Sequence, residues 1–88
     1  MSDILSPLAA DIVGLIGSAL LVAAYAYSNI AKQMDLVLFN LMNLAGAVLL
    51  CLSLMVHFNL ASMLLEFVWM TIAIFGLAKA LLARRRAI

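Results

Sequence analysis

Charged residues are scarce in this chain of 88 residues: they make up 10% of it, whereas 69% of it is hydrophobic. A soluble domain carries about 25% charged and about 45–50% apolar residues. A soluble fold of this size would also expose much of its surface, and this sequence holds too few polar residues to cover it. Together with a mean hydropathy of +1.28, the composition predicts a protein that resides in lipid.

Cysteine, excess charge and metal ligands are sparse as well. Cys51 is the only cysteine, so no intramolecular disulfide can form, and the CxxC or Cys/His spacing of a metal site is absent. The net charge of +1 offers no surface for nucleic acid. The sequence also lacks a Ser/His/Asp arrangement and a glycine-rich phosphate loop. We therefore expect no enzyme, no catalytic residue, no cofactor and no metal.

Two short polar interruptions divide the sequence into three apolar runs, each able to cross the roughly 30 Å core of a bilayer as a helix. We expect spans at about 12–29, 36–56 and 60–82, loops at 30–35 and 57–59, and a basic cytoplasmic tail at 83–88. Ser6-Pro7 is typical of a helix start, and Asn59 is expected to cap the third helix. The predicted fold class is an all-α integral membrane protein, an up-down-up bundle of three transmembrane helices in a single domain, 1–88.

All basic residues are expected on one side of the membrane. With three spans, the first loop and the C-terminal end share a side, and the N-terminus and the second loop carry no Lys or Arg. The positive-inside rule makes the basic side cytoplasmic, so we predict the N-terminus outside and the C-terminus inside. The residues that set this topology or contact anionic lipid are Lys32, Lys79, Arg84, Arg85 and Arg86.

Several polar residues lie at depths where they cost free energy in lipid. Glu66 lies about 9 Å below the outer end of the third span, at about 1.5 Å per residue. An acidic side chain there costs roughly 2.5–3.5 kcal/mol, so Glu66 is expected to face protein or water as a neutral acid. Asn43 of the second span and Tyr25 of the first span are expected to lie at the same depth, counted from the inner surface of the membrane. The candidate intramembrane functional residues are Glu66, Trp69, Asn43, Asn40 and Tyr25.

Small residues recur at helical spacing along each span, and in lipid they allow helix backbones to approach closely. We expect the resulting stripes on the three helices to face one another. Ser18 of the first span and Ser53 of the second lie at the same depth as Glu66, and we expect them to be its hydrogen-bond partners. Helix packing without any ligand also remains open for the asparagines and serines. The candidate packing residues are Gly14, Gly17, Ser18, Gly46, Ser53 and Gly76.

Three segments carry a resemblance to a known family: DIVGLIGSALLVAAY (11–25), NLAGA (43–47) and FNLASMLLEFVW (58–69). Over about residues 11–82, the chain resembles an uncharacterised family of short bacterial three-helix inner-membrane proteins, grouped as a domain of unknown function. The resemblance implies a bacterial inner-membrane protein of three spans and brings no catalytic assignment. Together with the orientation predicted from the basic residues, it places the N-terminus in the periplasm. The family's signature falls on Gly14, Gly17, Tyr25, Asn43, Gly46, Glu66 and Trp69.

A weaker similarity, in size and topology, is to the half-size sugar transporters, which are three-helix chains that act as parallel dimers. Their Pro-Gln motif in the first helix has no counterpart here, because the only proline, Pro7, precedes the span.

Two functions of different classes remain open. The first, which we favour, is a non-enzymatic scaffold or accessory subunit that packs through its helices, as a parallel homo-oligomer or within a larger membrane complex. Its partners would be the lipid bilayer and other membrane helices, not nucleic acid. The alternative is a minimal homodimeric transporter of a small solute or ion, with Glu66, Trp69 and Asn43 lining the path. Two copies are needed because three helices hardly enclose a path.

Overall fold

The computed structural model describes residues 5–87, which contain three α-helices and no strand. α1 spans Pro7–Ile30, α2 spans Leu36–Leu54 and α3 spans Leu60–Ala87. All three are long and apolar enough to cross a membrane. The predicted fold class, an all-α membrane protein of three helices, is confirmed. α3 continues beyond the predicted span because the residues that follow, alanine and arginine, are strong helix formers.

Polar side chains cap the start of each helix. The side-chain oxygens of Ser6, Asp35 and Asn59 accept hydrogen bonds from backbone N–H groups two or three residues later, at 3.0 to 3.3 Å. These bonds satisfy N–H groups that have no partner within the first turn of a helix. The start at Ser6-Pro7 and the cap at Asn59 are as predicted, whereas the cap at Asp35 was not foreseen.

α2 is the central element, because the other two helices pack against it and not against each other. Within the described residues, no Cα atom of α1 lies within 8 Å of a Cα atom of α3. The expectation that all three stripes face one another is therefore wrong for α1 and α3, which leave an open groove between them. The longest dimension, 46 Å, is about the thickness of a bilayer with its headgroups, about 40–45 Å.

The interior of the protein is made of small residues. The most deeply buried residues of the described chain are alanines, among them Ala10, Ala24 and Ala47. Large apolar side chains such as Leu15 and Phe75 are instead about 70% exposed. Hydrocarbon is as apolar as leucine, so these side chains gain little by leaving it, and small residues take the contacts between helices.

Candidate functional site

Glycine residues form the contact between α1 and α2. Gly17 and Gly46 approach so closely that a Cβ atom on either would lie 2.8 Å from the carbonyl oxygen of the other. Further along the same contact, a Cβ atom on Gly14 would lie 2.7 Å from the Oγ atom of Ser53. No larger residue fits between these backbones without moving them, so this contact serves to pack the helices.

An amide side chain joins α2 to α3. The indole Nε1 of Trp69 donates to Oδ1 of Asn43 at 3.0 Å, and Nδ2 of Asn43 donates to the carbonyl of Phe39 at 2.8 Å. Asn43 is buried, and these bonds use both halves of its amide. The sequence analysis grouped Asn43 with Tyr25, which is wrong: Trp69 is its partner, and Tyr25 is 72% exposed.

A second buried amide lies one turn away at the same contact. Nδ2 of Asn40 donates to the carbonyl of Leu36 at 2.8 Å, and the Asn40 amide packs directly on Gly76. A Cβ atom on Gly76 would overlap that amide. Gly76 therefore provides the space that Asn40 needs, as a small packing residue should. Both asparagines face α3, and each bonds back to its own helix.

Glu66 lies in the open groove between α1 and α3. Its side chain is 9% exposed, and its Oε1 atom is buried with no hydrogen-bond partner among the described residues. The groove has a volume of about 380 Å³. Its lining is almost wholly apolar and comes from both helices: Leu21, Val22 and Tyr25 of α1, and Leu65, Glu66 and Trp69 of α3.

The serine partners that the sequence analysis gave to Glu66 are wrong. Ser53 packs on Gly14, and Ser18 is half-buried on α1. Within the part of the chain that the structure describes, no hydrogen bond joins either serine to Glu66. A buried acceptor without a partner costs about 1–3 kcal/mol. The described residues supply no such partner to the Glu66 carboxyl.

A contact between an acidic and a basic side chain lies at each end of the molecule, and the sequence analysis singled out neither. At one end, Nε2 of His57 lies 3.0 Å from Oδ1 of Asp11, which joins α1 to the turn after α2. At the other end, Nη2 of Arg84 donates to Oδ1 of Asp35 at 3.0 Å. A signal for the first pair was present, since Asp11 and His57 continue the packing stripes of their helices.

Asp35 forms hydrogen bonds with all three helices at one end of the molecule. Its backbone N–H donates to the Tyr27 hydroxyl of α1 at 2.7 Å, while its carboxylate caps α2 and pairs with Arg84 of α3. The hydrogen bond from the Leu38 N–H, with the charge of Arg84 and the Val37 N–H, holds the pKa of the Asp35 carboxyl below its ordinary value. These effects outweigh the opposing effect of desolvation.

The basic residues are exposed and cluster toward the Asp35 end. Lys32 lies in the loop between α1 and α2, and Arg84 lies near the end of α3. The Arg84–Asp35 contact brings that loop and the end of α3 together. Lys79 lies about one and a half turns before Arg84 on α3, and together with Asn40 it lines a shallow cavity.

These helices and contacts define a small multi-pass membrane protein whose buried acid lies in an open groove. A model of a protein family matches residues 10–85, and the chain belongs to that family, which is an uncharacterised one. The predicted membership in an uncharacterised family of short three-helix proteins is confirmed. No curated protein and no solved structure matches the chain.

Proposed function

We propose that this protein is a non-enzymatic scaffold or accessory subunit, and that it binds another transmembrane helix in the groove between α1 and α3. The observation that carries the proposal is the buried Oε1 atom of Glu66, which has no partner within the described chain. In the hydrocarbon region, a polar group without a partner is costly and finds one from a neighbouring helix. The groove beside Glu66 is open to such a helix.

The chemistry of the groove suits binding. Apart from Glu66, its lining is aliphatic and aromatic, and the one added polar group that it offers is the hydroxyl of Tyr25. Such a surface offers van der Waals packing and a few hydrogen bonds, which are the interactions that associate helices in lipid. Trp69 also bonds to the buried Asn43, so one wall of the groove is fixed to α2.

The proposed location is the bacterial inner membrane, with the N-terminus periplasmic and the C-terminus cytoplasmic. The Arg84–Asp35 contact joins the loop that carries Lys32 to the basic end of α3, so these charges lie at one end of the molecule. The opposite end carries the Asp11–His57 pair and no Lys or Arg within the described residues. The positive-inside rule assigns the basic end to the cytoplasm, where the remaining arginines contact anionic lipid.

A minimal homodimeric transporter is the second candidate. Its support is that Glu66, Trp69 and Tyr25 line one groove, to which Asn43 is tied through Trp69. Two copies could enclose a path that the three helices of one copy leave open. In that case, Glu66→Gln would stop proton-coupled flux into vesicles, whereas a scaffold would keep its partner.

A photocrosslinking amino acid at Leu65 or Leu64 tests the helix-binding groove in native membranes. Both leucines are 57% exposed on α3, but only Leu65 lines the groove. We expect position 65 to capture a partner that mass spectrometry identifies, and position 64 to capture lipid alone. Capture at 65 should persist in Glu66→Gln and decrease in Glu66→Leu. Equal capture at both positions, or none at 65, would contradict the proposal.

A further inference from the structure

We propose that the occupant of the groove between α1 and α3 is a second, parallel copy of this chain. The two copies are related by a twofold axis along the membrane normal, and their Glu66 carboxyl groups hydrogen-bond to each other across it. This inference rests on the proposed function, because it names the partner of the same groove. It gives the Glu66 carboxyl group, which lines the groove and has no hydrogen-bond partner among the described residues, a partner within an apolar site.

Symmetry supplies the first step. A rotation about the membrane normal keeps every residue at its own depth, so the two Glu66 side chains meet at the same level. In a twofold interface, the same surface occurs on both sides and each contact is repeated. A polar group near the axis therefore meets a copy of itself. An unrelated helix could pair with Glu66 only if its own sequence placed a hydrogen-bond donor at this depth.

The carboxyl group is suited to such a meeting. A protonated carboxyl has one O–H donor and retains acceptor capacity, so two of them can bond to each other. Two carboxyl groups at hydrogen-bond distance cannot both ionise in apolar surroundings, so the pair holds at least one proton. The O–H of one Glu66 would donate to the carboxyl of the other, so each carboxyl group gains a hydrogen-bond partner across the axis.

The charge distribution requires that the copies be parallel. Parallel copies both place their Lys and Arg residues on the same side, which the positive-inside rule favours. Antiparallel copies would place one basic end on the outer side. They would also separate the two Glu66 residues, because a position about 9 Å from the outer surface of an about 30 Å core lies roughly 12 Å in depth from its inverted copy.

The remainder of the groove can be covered by the same contact. Val22 of α1 and Leu65 of α3 line the groove and are 68% and 57% exposed. Tyr25 is 72% exposed beside them. In a groove-to-groove dimer these side chains exchange lipid for protein contacts that pack around the central acid pair. On α2, the exposed side chains include Leu41 and Val48, and they would stay in lipid because α1 and α3 lie between α2 and the axis.

The first experiment measures the dimer fraction of the purified chain in lipid vesicles, by single-molecule photobleaching over a range of protein-to-lipid ratios. We expect a monomer–dimer equilibrium. Glu66→Gln should keep the association constant within about threefold, because amides also pair with each other. Glu66→Leu should lower it about fivefold to thirtyfold, the loss expected for interhelical hydrogen bonds.

The second experiment locates the interface independently of the acid. In a Cys51→Ala background, Leu65→Cys and Leu64→Cys are each treated with copper phenanthroline in the membrane. We expect covalent dimers from Leu65→Cys and few from Leu64→Cys, since only position 65 lines the groove. Dimers from Leu64→Cys at an equal rate, or a chain that stays monomeric at every ratio, would overturn the proposal.

The outcomes separate this inference from the proposed function. If the purified chain is monomeric and Leu65 captures a different protein in native membranes, the second copy is wrong and the helix-binding groove stands. If Leu65 captures nothing and the chain is monomeric, both are wrong. Dimers that form equally well with Glu66→Leu would keep the groove as an interface but overturn the acid pair.

Discussion

α2 contacts its two neighbours through different kinds of residue. Against α1 it presents Gly46, which meets Gly17 backbone to backbone. Against α3 it presents the amide of Asn43, which accepts a hydrogen bond from Trp69. Lipid provides no hydrophobic force between helices, so both close packing and hydrogen bonds can stabilise their association. The comparison indicates that the first contact depends on shape and has little tolerance, whereas the second combines the Trp69–Asn43 hydrogen bond with the packing of Asn40 on Gly76.

The largest effect is expected for Gly46→Leu. Because even a Cβ atom there would lie 2.8 Å from the Gly17 carbonyl oxygen, the leucine must push α1 away from α2. Overpacking of this kind costs typically 1–3 kcal/mol and occasionally more, and we expect about 3 kcal/mol because backbone lies on the other side. Steric trapping of the unfolded state in bicelles would measure the loss of stability.

Ala45→Leu is the matched control for that prediction. Ala45 is the neighbouring residue on α2 and is exposed, so the added side chain enters lipid and the stability should change by less than about 0.5 kcal/mol. If the two variants were equally stable, the close backbone contact between α1 and α2 would not be what holds these helices together.

A smaller effect is expected for the bond between α2 and α3. Trp69→Phe keeps an aromatic ring but removes the donor to Asn43, which should cost about 1–2 kcal/mol. A double-mutant cycle with Asn43→Leu should give a coupling of about 0.6–2 kcal/mol for this pair. The same cycle with Tyr25→Phe should give none, because Tyr25 faces the groove and not Asn43. If the cycle instead showed coupling between Asn43 and Tyr25, the pairing that the sequence analysis predicted from their equal depth would be correct.

The sequence predicted the helices well because lipid constrains composition and length so strongly. Apolar runs of about 20 residues must be helical in a bilayer, and a serine or an asparagine before such a run caps it. Glycines at helical spacing likewise indicated a close contact, and Gly17 and Gly46 lie at one. These features depend on local patterns, which the sequence contains in full.

The contacts between helices were harder to predict. Counting depth from the membrane surface grouped Asn43 with Tyr25 and Glu66 with two serines, on the assumption that all three helices meet. α1 and α3 do not meet, so Tyr25 faces a groove and Glu66 has no partner among the described residues. Three spans predict that the first loop and the C-terminal end share a side, but no local pattern indicates that Asp35 and Arg84, which are 49 positions apart, form a pair there.

The smallest expected effect concerns Asp35, at the end where all three helices are tied together. Its carboxyl has a lower pKa in the folded protein than in the unfolded chain, where about 3.9 is usual. Between these two values, the unfolded state binds more protons, so stability increases with pH. The contribution is therefore nearly complete above about pH 5 and is lost as the pH falls through the folded-state value. The effect is small because the carboxyl is exposed to solvent.

Two substitutions separate the causes of this acid sensitivity. Asp35→Asn should remove it while keeping a helix cap, since asparagine caps as well as aspartate. Arg84→Gln should leave part of it, because the hydrogen bonds from the Leu38 and Val37 N–H groups remain. The midpoint of thermal unfolding, followed in detergent from about pH 7 to about pH 3, would compare the variants with the parent. If Arg84→Gln removed the acid sensitivity as fully as Asp35→Asn, the ion pair and not the helix cap would tie this end of the molecule together.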